Sequence, residues 1–143
     1  MLARVDVILP DGTRIRACSL ANRVEADPER SFGLYMDEAW HPTWPAAIIP
    51  WADFGLPGDS EEAATQIEAA FSRAKGGEVV EIGCVGGLGR TGTVLACLAV
   101  LAGVAPADAV PWVRRNYDVR AVETPDQEQW VLWFAESVQR RSR

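Results

Sequence analysis

The run Val79-Val80-Glu81-Ile82-Gly83-Cys84-Val85-Gly86-Gly87-Leu88-Gly89-Arg90-Thr91-Gly92-Thr93 constrains this chain more than any other stretch. Val79 to Ile82 is rich in β-branched apolar residues and reads as a buried strand. A cysteine follows, then a loop carrying three glycines, then Arg90 and Thr-Gly-Thr. From Val94 the series Val94, Leu95, Leu98, Val100, Leu101 marks a helix. Strand, cysteine, glycine loop and arginine at a helix N-terminus form an anion cradle. Successive backbone N–H groups turn inward there, and the helix adds its positive end. Arg90 offers a planar two-pronged donor suited to phosphate oxygens. A nucleophilic sulfur beneath such a cradle points to phosphoryl transfer through cysteine.

Other anion loops fit less well. Gly87-Leu88-Gly89-Arg90-Thr91-Gly92 spells the dinucleotide fingerprint, which needs a second strand ending in an acid about 20 residues on. The candidate acid, Asp108, stands just behind Pro106 at a helix start instead. A nucleotide P-loop needs Gly-Lys-Ser/Thr at its end, and the only lysine is Lys75. A buried structural cysteine beside a glycine turn would explain Cys84 but not Arg90 and Thr91.

At these residues the chain resembles the cysteine-dependent protein tyrosine phosphatases, whose signature is Cys-x5-Arg-Ser/Thr. It looks most like their small dual-specificity branch. The resemblance implies that Cys84 attacks phosphorus. Arg90 and the loop Val85, Gly86, Gly87, Leu88 and Gly89 would hold the phosphate, and the Thr91 hydroxyl would stabilise the departing thiolate. It also implies a site that works without cofactor or metal, with positive charge supplied by Arg90, the amides and the helix dipole. The family usually places histidine before the cysteine, and this chain has Gly83.

A second segment carries a further part of the likeness. Trp51-Ala52-Asp53-Phe54-Gly55-Leu56-Pro57 follows a candidate strand over Ala46 to Trp51. By itself it reads as a strand-to-helix connection with a solvated aspartate. It is similar to the family's mobile Trp-Pro-Asp-Phe-Gly-x-Pro loop, with Ala52 in place of the first proline. That match implies Asp53 as the general acid, needed because an alkoxide or phenolate leaves poorly without a proton. Near the end, Thr124 reads as an N-cap with Pro125 at the first helical position and Gln127 as capping-box partner. The family has a Gln-Thr-x-x-Gln motif whose glutamine positions the hydrolytic water. Here Gln127 matches the second glutamine, and Glu123 replaces the first.

The remaining elements complete an α/β pattern. Val5 to Leu9 and Thr13 to Ala17 alternate around Pro10-Asp11-Gly12 as a hairpin. Cys18 to Ser31 reads as irregular and Phe32 to Met36 as a short strand. His41, the only histidine, reads as a surface or rim residue. Asp59, Ser60 and Glu62 cap a helix ending at Gly76-Gly77, so Ala46 to Ile82 forms a strand–helix–strand unit and predicts a parallel pair. Ligands sit at the carboxyl ends of such strands, where both Asp53 and Cys84 fall. Gly103 stops the next helix and Pro106 opens another, which Pro111 is expected to kink or end early. Arg114, Arg115 and Arg120 read as a solvated face or as ion pairs with nearby acids, and Trp130 and Trp133 as core.

The length of 143 residues fits one domain. The expectation is a single α/β domain over 1–143, with a small, mostly parallel central sheet flanked by helices. Residues 1–45 form a hairpin and irregular part, and 46–143 the catalytic core. A net charge of −6 speaks against nucleic-acid or anionic-membrane partners. Three cysteines without metal spacing indicate neither a disulfide framework nor a zinc site. Met1 to Pro10 does not read as a signal peptide, and the longest apolar run is too short to cross a bilayer. These point to a reduced cytoplasmic protein. Thirteen arginines against one lysine suggest a bacterial source with a GC-rich genome. The expected reaction is phosphomonoester hydrolysis through phosphocysteine, on protein phosphotyrosine or with dual specificity. The loop has no lysine, which argues against inositol lipids. No Asn-Arg-Tyr run marks the strict phosphotyrosine branch. The alternatives are an inactive phosphate-binding module and a phosphatase of small-molecule or nucleotide phosphates.

Overall fold

Strand over Val80–Cys84 is buried at every position, as a strand covered on both faces must be. The computed structural model describes residues 4–22, 30–40 and 42–142. Five strands, β1 (Arg4–Ile8), β2 (Arg14–Ser19), β3 (Phe32–Tyr35), β4 (Ala46–Ile48) and β5 (Val80–Cys84), form one sheet in the order β1-β2-β5-β3-β4. β1 and β2 make the expected hairpin, and every other pairing is parallel. The first 45 residues therefore supply three of the five strands, β2 and β3 flanking β5 directly.

The expected pairing of Ala46 to Trp51 with the Cys84 strand is not formed. β3 lies between β4 and β5, and β4 is a short, half-buried edge strand ending at Ile48. The direction is parallel as expected, but the crossover skips a strand. β2 also runs on through Cys18 and Ser19, where irregular chain is expected.

Four helices follow: α1 (Ser60–Lys75), α2 (Gly89–Leu101), α3 (Pro106–Asn116) and α4 (Pro125–Arg141). Asp59 caps α1 by accepting from the Glu62 backbone N–H at 3.1 Å. Gly77, at φ 99°, turns the chain out of the helix. α2 is apolar nearly all round and buried from Gly89 to Ala99, which is the mark of a central helix. It packs on β5 and touches α1, α3 and α4. α3 runs past Pro111 to Asn116 without the expected break. Pro111 lies on the exposed side. The core joins the sheet to these helices through Ile15, Leu34, Ile82, Ile67, Leu95, Leu98 and Phe134. A smaller cluster, Cys18, Leu20 and Tyr35, is covered by Trp40 and Trp44. Beneath it Glu81 is buried against Arg30 at 3.6 Å and accepts from the Tyr35 hydroxyl. His41 lies outside the described residues.

Candidate active site

The four parallel strands all end on the same side, and each end fixes part of the Cys84 loop. Ser19, at the end of β2, donates from its hydroxyl to the Val85 carbonyl at 2.7 Å. Met36, just past β3, donates from its backbone N–H to Gly83 and accepts from Arg90 Nη1 at 2.7 Å. Trp51, beyond β4, accepts from the same Nη1 at 2.9 Å. β5 delivers Cys84 itself. The loop then turns through Gly87 at φ 72°, where a Cβ would press on Ser19. The Tyr117 hydroxyl donates to the Gly87 carbonyl and holds the turn.

Cys84 is buried, and Thr91 Oγ1 lies 3.0 Å from its Sγ, within hydrogen-bonding reach. Arg90 is only 5% exposed. Its Nη1 spans the two strand-end carbonyls, its Nη2 lies 3.8 Å from Asp53 Oδ1, and its Nε is buried with no hydrogen-bond partner. One side of the guanidinium is thus anchored, while Nε contributes a bare donor. α2 begins at Gly89, and its N-cap residue Leu88 makes no side-chain cap. Gly92 is forced by packing, since a Cβ there would lie 2.7 Å from Ala121.

Asp53 sits in a tight turn closed by Gly55 N–H donating to the Ala52 carbonyl at 2.9 Å. Phe54, at φ 59°, occupies the third position of that turn, where a positive φ is required. The loop is braced from beneath: Trp51 Nε1 and Gln127 Nε2 both donate to the Gly55 carbonyl, at 2.8 and 3.1 Å. Trp51 packs on Trp130 with ring centroids 5.5 Å apart. The side chain of Asp53 is 59% exposed, on the open face beside Arg90.

Gln127 is fully buried, and both ends of its amide are used. Its Oε1 accepts from the Glu123 N–H at 2.8 Å while Nε2 holds Gly55. Thr124 caps α4 as expected, accepting from Gln127 N–H at 3.1 Å. Arg114 does not belong to a solvated face. Its Nε and Nη2 donate to the carbonyls of Ala121 and Val122 at 2.9 and 2.7 Å, clasping the segment before α4. Tyr117 and Arg114 are the positioning residues that the sequence pattern did not disclose. Both act on backbone carbonyls, which leave no trace in a motif. Among the described residues, no group of three or more His, Cys, Asp or Glu is placed to hold a metal ion.

The model of the DSP-PTPase phosphatase domain of the Swiss Army Knife proteins (PTP-SAK) matches residues 41–131. The chain belongs to this family. The PTP-SAK assignment makes it a cysteine-dependent phosphatase of the dual-specificity type, a phosphoric monoester hydrolase. Two uncharacterized proteins of Methanocaldococcus jannaschii are similar to it. One is 35% identical over 109 residues, covering 69% of this chain and 72% of the relative. The other is 36% identical over 111 residues, covering 69% and 67%. The kinase associated phosphatase whose catalytic-site cysteine is replaced by serine superposes with a TM-score of 0.79 at 18% identity, covering 96% of each chain. At that identity it speaks for the PTP-SAK fold alone. No helix among the described residues is long and apolar enough to cross a membrane.

Proposed function

We propose that this phosphatase hydrolyses phosphomonoesters of proteins, phosphotyrosine foremost, through a phosphocysteine on Cys84. The observation that carries the reading is Arg90: a buried guanidinium pinned at Nη1 by two strand ends, with Nε unpartnered one residue past a glycine loop. A guanidinium held this way presents its remaining donors as a fixed fork to an oxyanion. The amides of Val85, Gly86, Gly87, Leu88 and Gly89 complete the cradle. Cys84 Sγ attacks phosphorus as the P–O bond to the leaving group breaks, and Asp53 gives that oxygen its proton. Water then attacks the phosphocysteine, Asp53 takes a proton from it, and sulfur leaves as thiolate beside the Thr91 hydroxyl. Gln127 serves as a positioning residue, setting Gly55 in the acid loop and the backbone of Glu123.

The apolar side chains exposed near the site, Phe54, Leu56 and Val85, favour an aryl leaving group over a sugar or nucleotide. A reduced cytoplasmic setting is supported by three buried cysteines that form no disulfide. The bacterial source rests on arginine usage alone, whereas the sequence relatives are archaeal. Initial rates on phosphotyrosine, phosphoserine and nucleotide substrates test the substrate assignment. Faster turnover of nucleotides than of phosphotyrosine peptides overturns it. Phosphate release undiminished in Cys84→Ser overturns the mechanism.

A further inference from the structure

Glu123 stands where the family motif has another residue, and the fold goes to some length to place it. Its backbone N–H is held by Gln127, and Arg114 clasps the two carbonyls before it. Val122 is held at φ 63°, a conformation a β-branched residue adopts only when its surroundings enforce it. The result lays the Glu123 carboxyl on Gly89, where a Cβ would run into Oε1. The carboxyl is close enough to the Gly89 N–H to be stabilised by it, and it feels both Arg90 and Asp53. It therefore shares donors with the proposed phosphate cradle.

Other titratable and charged groups surround it. Asp53 lies on the acid loop, and Cys84 and Arg90 flank the cradle. Arg114, on α3, is spent on carbonyls and lies 3.9 Å from Glu128 of α4. Arg120 is paired with Asp118 at 3.1 Å. The Tyr117 phenol is pushed far up by burial and stays neutral. Burial and the nearby Asp53 raise the Glu123 carboxyl above its ordinary value, against the pull of Arg90 and the Gly89 amide.

Resting on the phosphate-cradle reading, we propose that Glu123 is a specificity-determining residue that makes the loop take up its oxyanion together with a proton. An oxyanion held by Gly89 N–H and Arg90 is compatible with a neutral Glu123 and is opposed by a charged one, because both anions draw on the same donors. Binding of anion and proton are then coupled, and by reciprocity each strengthens the other. Acidity governs how tightly substrate is held, apart from its effect on the chemical step.

Sulfate binding to the Cys84→Ser protein isolates this effect, since the thiol is gone and sulfate remains a dianion throughout the range used. Calorimetry should show affinity falling about tenfold between roughly pH 4.5 and 7.5, one pK unit's worth of coupling. Adding Glu123→Gln should flatten that slope and keep the tighter, acid-side affinity at neutral pH. Adding Asp53→Asn instead should leave a clear slope. Thermal unfolding at the acid end confirms that each variant is folded. An unchanged slope in the Glu123→Gln protein overturns the inference, as does a slope abolished by Asp53→Asn alone. Absence of sulfate binding to Cys84→Ser at every pH overturns the cradle reading itself.

Discussion

The sulfur of Cys18 stands 2.6 Å from the point where a Cβ on Gly83 would lie, with carbons of Leu20 and Tyr35 at 3.2 Å. Cys18 and Gly83 are register partners in the β2–β5 ladder, so neither can move without the sheet. The space beside Cys84 that the wider phosphatase family gives to histidine is filled here by the neighbouring strand. A histidine grafted at position 83 would break the packing before it reached the thiol.

Gly83→Ala should therefore destabilise the protein by about 1–3 kcal/mol through overpacking. Cys18→Ala in the same chain should recover part of that loss, because Sγ is the nearest obstructing atom. Urea midpoints of the two single variants and the double variant measure the coupling. Additive effects would show that the sulfur is not what excludes a side chain.

Cys84→Ser should abolish turnover and keep oxyanion binding. Arg90→Ala should lose both. It should also lower the melting temperature, because the carbonyls of Met36 and Trp51 lose a shared buried donor. Arg90→Lys should recover neither function in full, since a point charge cannot reproduce the planar fork. Vanadate titration and thermal scans on the variants separate the two roles. Retained vanadate binding by Arg90→Ala would contradict the assignment.

Asp53→Asn should slow hydrolysis of phosphotyrosine and alkyl phosphates by about 10²–10⁴-fold, the usual worth of general acid catalysis. Activated aryl phosphates, whose leaving group needs little protonation, should suffer much less. The fall of rate on the alkaline side should disappear from the variant's pH profile. If leaving-group dependence is unchanged, the acid is another group.

Glu123→Gln carries a stability signature with a definite sign. The folded carboxyl is raised above its ordinary value of 4.5, so the folded state holds its proton more tightly than the unfolded chain. Its stabilising contribution is complete below about 4.5 and is lost as pH rises through the folded value. The variant should therefore match the parent in strongly acidic solution and exceed it at neutral pH. Unfolding midpoints at both ends check this, and equal differences at the two pH values would refute it.

That the Cys84 loop and Asp53 lie together was legible in the sequence, because each belongs to one contiguous segment just past the end of a strand. The strand order was not. A strand–helix–strand pattern carries direction but not adjacency, and Phe32–Tyr35 slips between the two predicted partners with no signal of its own. The anchors of Arg90 were hidden for a different reason: Met36 and Trp51 act through backbone carbonyls, and any residue could supply those. Arg114 looked like surface charge because its targets, Ala121 and Val122, are likewise main-chain oxygens. Gln127 was readable as a capping-box partner, but its Oε1 takes the N–H of Glu123 instead of that of the cap residue Thr124, and its reach to Gly55, distant in sequence, could come only from the fold.

That reach makes Gln127 the residue through which the acid loop and the Glu123 segment are tied together. Gln127→Ala would take the partner from the part-buried N–H of Glu123 and remove one donor from Gly55, which keeps Trp51 Nε1. Each hydrogen bond lost is worth about 0.5–1.5 kcal/mol net, so unfolding should show a loss of that order or somewhat more. Thr124→Ala removes only the cap and should cost about 1 kcal/mol. The two variants should differ more sharply in kinetics. Gln127→Ala loosens the turn that aims Asp53, so its rate loss should grow with the basicity of the leaving group, as in Asp53→Asn but less steeply. Thr124→Ala should slow all substrates alike or not at all. Plots of log kcat against leaving-group pKa for a series of aryl phosphates give the slopes directly. Equal slopes for Gln127→Ala and the parent would mean that the brace supports the fold without positioning the acid.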